Sequence, residues 1–147
     1  MSVELKLKSL TPEEIASVVG GRLENYHGAD GKSEQKGIVT DSRDGGDGLI
    51  FCAIAGQNVN GNDYINSALG LGSDCFICQY IPEASRKSTK PFSAVIVDDT
   101  IKAMGDLAAY YRGFSKAKFV AVTGSVGKTT TKEFIYSVAS ASFKTHK

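Results

Sequence analysis

The chain has 147 residues, 41% hydrophobic and 22% charged, which suits a soluble globular chain with a real core. Seventeen basic and 16 acidic side chains leave a net charge of +1, so there is no electrostatic reason to expect nucleic acid or a membrane surface as partner. No apolar run approaches the roughly 18 residues of a membrane helix, and the start, MSVELKLKSLTPEE, lacks the apolar core of a signal peptide, so the expected location is the cytoplasm.

The first clear element is a helix in LTPEEIASVVGG. Thr11 is placed as N-cap, Pro12 suits the first helical position and Glu14 completes a T-x-x-E capping box. Ile15, Val18 and Val19 form one apolar face, and Gly20 and Gly21 stop the helix. Residues 24–36 are polar and read as a loop or irregular hairpin. GIVT (37–40) and LIFCAIA (49–55) read as short strands, joined by the turn-forming DSRDGGDG. After the loop QNVNGND, YINSALGLG reads as a short helix with Asn62 or Asp63 as its cap. DCFICQ (74–79) and SAVIV (93–97) read as fully buried strands, linked by a polar stretch from Pro82 to Pro91. A second amphipathic helix is expected after a cap at Asp99 or Thr100. Ile101, Met104, Leu107, Ala108 and Tyr111 recur at helical spacing, with Lys102 and Asp106 one turn apart on the wet side. GFSKA is a short link to a buried strand, FVAVT, followed by a glycine loop and a helix from near Lys128. Strands alternating with helices predict an α/β sheet, with a boundary near residues 113–117.

There are three cysteines, Cys52, Cys75 and Cys78, all in apolar surroundings. Cys75 and Cys78 make a C-x-x-C, the spacing of a redox pair or half a zinc site. Residues three apart in a strand point to opposite faces, however, and no second C-x-x-C exists, so core positions are expected.

The chemistry concentrates in GSVGKTT. A strand running into it and a helix running out make an anion site of backbone N–H groups and a helix N-terminus. Gly124 and Gly127 let the chain approach phosphate closely. Lys128 adds positive charge for the β- and γ-phosphates, and the Thr129 hydroxyl is placed for Mg²⁺. The full G-x-x-x-x-G-K-[ST] pattern would need glycine where Val122 stands, so the form present is the shorter T-G-x-x-G-K-T.

That shorter form, continued as GSVGKTTTKE, resembles the Mur ligases of bacterial cell-wall synthesis. GIVTDSR is similar to their T-D-S-R segment, LIFCAIAG to the L-F-V-A-x-x-G strand that follows, and NGNDYINSALGLGSD to D-G-H-D-F-I-x-x-A-x-x-x-G-A. VDDTIKAMGDLAAYYR resembles V-x-D-T-x-x-A-L-x-x-L-A-x-x-x-R. The likeness runs from about residue 10 to 140. Two departures stand out: GGDGLIF replaces P-G-D-L-F, and Asn60-Gly61-Asn62 replaces D-G-H.

The resemblance implies a small α/β domain over 1–115 that binds a UDP-sugar peptide. The first β-loop-α unit of a P-loop ATPase domain would follow over 116–147. Too few residues follow the loop to complete a nucleotide-binding sheet, so the chain is expected to be an N-terminal fragment, inactive alone. It points to the member that joins D-alanyl-D-alanine to UDP-N-acetylmuramoyl-tripeptide through an acyl phosphate, using ATP and Mg²⁺ and acting as a monomer. ATP would sit on Gly124, Ser125, Val126, Gly127, Lys128, Thr129 and Thr130, with Lys128 the catalytic cation and Thr129 on the metal. The UDP end would lie near Thr40, Ser42, Arg43, Gln57, Asn58 and Val59. Three other readings remain: a stand-alone UDP-sugar-binding module, the Mur ligase that adds the third amino acid, or a different P-loop NTPase or kinase.

Overall fold

The computed structural model describes residues 2–5, 8–57 and 59–147. They divide into two compact units, one ending at Ser115 and one beginning at Lys116.

The first unit is built on a six-stranded sheet. Its strands are β1 (Ser2–Glu4), β2 (Arg22–Tyr26), β3 (Gly37–Val39), β4 (Leu49–Cys52), β5 (Cys75–Cys78) and β6 (Phe92–Ile96), in the order β1-β3-β4-β5-β6-β2. The four inner strands are parallel, and β1 and β2 close the two edges antiparallel. The inner strands are apolar nearly throughout because both faces are covered. Side chains alternate between the faces. Ile38, Ile50, Cys52, Cys75, Ile77 and Val95 join one core, and Val39, Phe51, Phe76, Cys78 and Ala94 the other. The first face is covered by α1 (Pro12–Val19) and α4 (Thr100–Arg112), through Ile15, Ala16, Ala103 and Leu107. The second is covered by α2 (Ile65–Gly70), through Ile65, Ala68 and Leu69.

Helix α1 begins as its sequence requires. The Thr11 hydroxyl accepts the Glu14 N–H at 3.2 Å, the Thr11 N–H donates to Glu14 Oε2 at 3.0 Å, and Gly20 ends the helix in the left-handed region. Asp99 caps α4, its Oδ1 accepting the N–H groups of Ile101 and Lys102 at 2.8 and 2.9 Å.

Three expectations are corrected. Of residues 24–36, expected as a loop or irregular hairpin, 24–26 belong to the edge strand β2; its charged, half-exposed side chains hide the alternation that would mark it. The helix after the QNVNGND loop is not capped by Asn62 or Asp63: a 3-10 turn (Gly61–Tyr64), capped by Asn60, precedes α2, whose own N-cap is Tyr64 with no side-chain cap bond. The polar link between Pro82 and Pro91 contains a single helical turn, α3 (Glu83–Arg86).

The second unit holds one helix, α5 (Lys128–Ser140), preceded by the glycine loop. FVAVT (119–123) is not a strand. A parallel strand is made by hydrogen bonds to neighbouring strands, and residues 116–147 supply no other. No residue from 116 to 147 is buried, and Phe119 and Val120 are 60% and 70% exposed. Among the described residues no helix is long and apolar enough to cross a membrane.

Candidate functional site

At the carboxyl ends of β3 and β4 lies a cavity of about 780 Å³. This is where open α/β sheets place their ligands, since the loops leaving parallel strands converge there. One wall is Thr40–Arg43, leaving β3. Another is Phe51 and Ile54 of β4 and its extension, with Gly56, Val59 and Gly61 of the next loop. Tyr64, Ser67 and Leu71 complete it from the 3-10 turn and α2.

The chain leaving β3 tightens into a 3-10 turn, Ser42–Asp44, with Asp41 as cap. Asp41 Oδ1 accepts the Arg43 N–H at 3.0 Å and Arg43 Nε at 2.9 Å, while Oδ2 accepts Nη2 at 2.6 Å. Two parallel bonds thus fix the plane of a guanidinium whose side chain is 87% exposed. The side-chain bonds from Arg43, then its backbone N–H, hold the Asp41 carboxyl well below the usual carboxylate range, and the same pair raises Arg43. The local Asp–Arg pair therefore exists, and it presents Arg43 at the cavity rather than removing it. Helix α2 packs against this turn, and Ser42 is buried there.

In the turn that carries the lining residue Gly61, Asn60 Oδ1 accepts the Asn62 N–H at 3.1 Å and Asn62 Nδ2 at 2.7 Å. Asn62 is fully buried, and its Oδ1 accepts the Gln79 N–H at 3.0 Å, tying the turn to the end of β5. Gly61 has no alternative: a Cβ there would sit 2.6 Å from both the N and the O of Ile54. Asn60 and Asn62 thus brace the turn with their own amides.

The structure brings Thr40, Ser42, Arg43 and Val59 onto one cavity. Gln57 is exposed and off its wall, and Asn58 lies outside the described residues. Sequence reasoning missed Tyr64, Ser67 and Leu71. Their spacing of three and four residues was the available signal: a second stripe on the short helix, opposite the buried Ile65, Ala68 and Leu69.

The glycine loop belongs to the second unit. Gly124 and Gly127 have φ of +150° and +79°, and Gly127 is the N-cap of α5. A side chain at Gly127 would be strained in that left-handed conformation. The Thr131 N–H closes the first helical bond, to the Gly127 carbonyl at 2.9 Å, so the N–H groups of Lys128, Thr129 and Thr130 have no partner inside the helix. Lys128 Nζ folds back to donate to the Gly124 carbonyl, over the loop itself. Residues 124–130 are all exposed. Open amides, a helix N-terminus and a lysine over the loop fit a nucleotide's phosphates. The Thr129 hydroxyl alone makes no metal site, and among the described residues no group of three or more His, Cys, Asp or Glu could hold an ion.

The cysteines sit in the core. Cys75 and Cys78 face opposite sides of the sheet, and burial pushes the Cys52 and Cys78 thiols up to about 12 and Cys75 well above its ordinary value.

No family model matches the chain. Individual proteins do. The UDP-N-acetylmuramoyl-tripeptide–D-alanyl-D-alanine ligase of Rickettsia prowazekii (strain Madrid E) is 40% identical over 96 residues, which is 65% of this chain and 20% of the relative. The UDP-N-acetylmuramoyl-L-alanyl-D-glutamate–2,6-diaminopimelate ligase of Phocaeicola vulgatus is 31% identical over 140 residues, 94% of this chain and 26% of the relative. Among solved structures, MurF from Acinetobacter baumannii matches 92% of this chain and 28% of its own, at 27% identity and a TM-score of 0.74. The MurF ligase of Thermotoga maritima, in complex with ADP, matches 71% of this chain and 23% of its own, at 30% identity and a TM-score of 0.62. The chain spans between 20% and 29% of the length of the curated relatives it matches. Sequence and fold agree over most of its residues, and the chain belongs to the Mur ligase family.

Proposed function

We propose that this chain supplies the UDP-sugar-peptide site and the phosphate loop of an ATP-dependent amide ligase of peptidoglycan precursor synthesis. The observation that carries the reading is the cavity at the strand ends, with Thr40, Ser42, Arg43 and Val59 on its walls. Arg43, its plane fixed by Asp41, suits a diphosphate, and the Ser42 hydroxyl can donate and accept. Residues 1–115 are then the substrate domain and 116–147 the opening of the ATP-binding domain.

Within that reading ATP phosphorylates the substrate's terminal carboxylate, and an incoming amine displaces the phosphate. This chain's part in that step is positional and electrostatic. Lys128 would neutralise phosphate charge, the Thr129 hydroxyl would help hold a Mg²⁺ ion that supplies further charge neutralisation, and the loop amides would hold the β-phosphate. Mg·ATP binding measured with Lys128→Ala tests this role. It is expected to fall sharply, and unchanged affinity would remove Lys128 from the site.

The finer assignment is the ligase that joins D-alanyl-D-alanine to UDP-N-acetylmuramoyl-tripeptide. Relatives and solved neighbours carrying that name support it. The runner-up is the ligase that adds the third amino acid, which the diaminopimelate ligases among the relatives favour. Calorimetric titration with the UDP-linked tripeptide and dipeptide tests both. Binding of either supports a UDP-sugar-peptide site, preference for the tripeptide supports the first ligase, and binding of neither rejects the reading.

A further inference from the structure

Resting on that reading of the cavity, we propose that Tyr64 is the surface on which the nucleotide's base stacks. The cavity must take a ligand with two unlike ends, an anionic diphosphate and a flat, weakly polar base. Its lining offers both kinds of surface: the charged Asp41 and Arg43, and the largely apolar Ile54, Val59, Tyr64 and Leu71.

A base needs a π-face, and among the described residues two aromatic side chains line the wall. Phe51 is 1% exposed and already meets Phe76 edge to face at 6.4 Å, so its faces belong to the core. Tyr64 is 44% exposed and pairs with no other described aromatic ring. It begins the stripe Tyr64, Ser67, Leu71 that α2 turns toward the cavity, while Ile65, Ala68 and Leu69 anchor the same helix in the core. Its backbone is held in place beforehand. Asn60 caps the turn, the Asn62 carbonyl accepts the Ile65 N–H, and the Asn62 side chain ties the turn to Gln79. A ring on a fixed backbone loses little freedom on binding, which is where a stacking contact gains its affinity.

The test uses UDP and inorganic pyrophosphate as probes. Replacing Tyr64 by Ala or Leu is expected to weaken UDP by about 5- to 150-fold, the range for one stacked base, and to leave pyrophosphate unchanged. Tyr64→Phe keeps the face and is expected to keep UDP affinity. The chain contains no tryptophan, so Tyr64→Trp makes a lone indole whose emission UDP should quench and pyrophosphate should not. If the wild-type chain binds UDP and the Ala and Leu variants bind it equally well, Tyr64 is not the platform, though the cavity reading stands. If the wild-type chain binds no UDP, the cavity reading fails and this inference fails with it.

Discussion

Arg43 shows how one residue can be both structural and available. Its guanidinium is held by both oxygens of Asp41, yet the side chain is almost fully exposed at the cavity rim. Such an exposed pair adds little to folding stability, so its worth must be read in binding. Arg43→Ala is expected to lower affinity for the UDP-linked peptide about 10- to 100-fold, the range for a charged hydrogen-bonding group, with the thermal midpoint little moved. A large loss of stability with unchanged affinity would make Arg43 a structural residue instead. The buried thiols give the opposite case. With folded values raised from 9.0 to about 12 for Cys52 and Cys78, the unfolded chain ionises first as pH rises. Their contribution to stability is therefore complete below pH 9 and lost progressively toward about 12. Denaturant midpoints should fall over that range, and the native thiols should resist a disulfide reagent at pH 8 until the chain unfolds. Fast native labelling would contradict the burial of this pair.

At the scale of elements, what the sequence shows is what local chemistry decides. The capping box of α1, the Gly20 stop and the buried β4, β5 and β6 follow from side chains that have one good place to go. Thr11→Ala is expected to cost about 1 kcal/mol in chemical denaturation, since the cap oxygen satisfies a helix N–H that otherwise has no partner. The edge strands β1 and β2 were not legible, because half-exposed edges mix charge with apolar residues and only the partner strand defines them. The cap of the turn before α2 was misplaced by two or three residues, because a 3-10 turn ahead of a helix has no apolar period of its own. Gly61 could not be singled out among many glycines. Its reason is the backbone of Ile54, and contact with it exists only in the fold. Gly61→Ala must shift that backbone, and a loss of roughly 1–3 kcal/mol, typical of overpacking, is expected on urea unfolding. A neutral effect would mean that the cavity wall yields.

For the whole molecule, the two units differ in kind. The first has two cores, one on each face of its sheet, while residues 116–147 bury nothing. The glycine loop was nevertheless the easiest candidate site to read, because its Gly, Lys and Thr pattern is set by spacing along the chain. The cavity was harder, because it joins Thr40–Arg43 to Val59 and Tyr64–Leu71 across the ends of strands. Amide exchange should be much faster in α5 than in β4 and β5, since exposed hydrogen bonds open locally; equal protection would contradict this division.

We propose that the cavity at the ends of β3 and β4 receives the UDP-linked peptide. The most direct test is to map backbone amide shifts in solution while UDP-N-acetylmuramoyl-tripeptide is titrated into the chain. Saturable changes clustered on residues 40–43 and 56–67 are expected, with Mg·ATP acting instead on 124–130. Saturable binding that leaves 40–43 and 56–67 unmoved would contradict it.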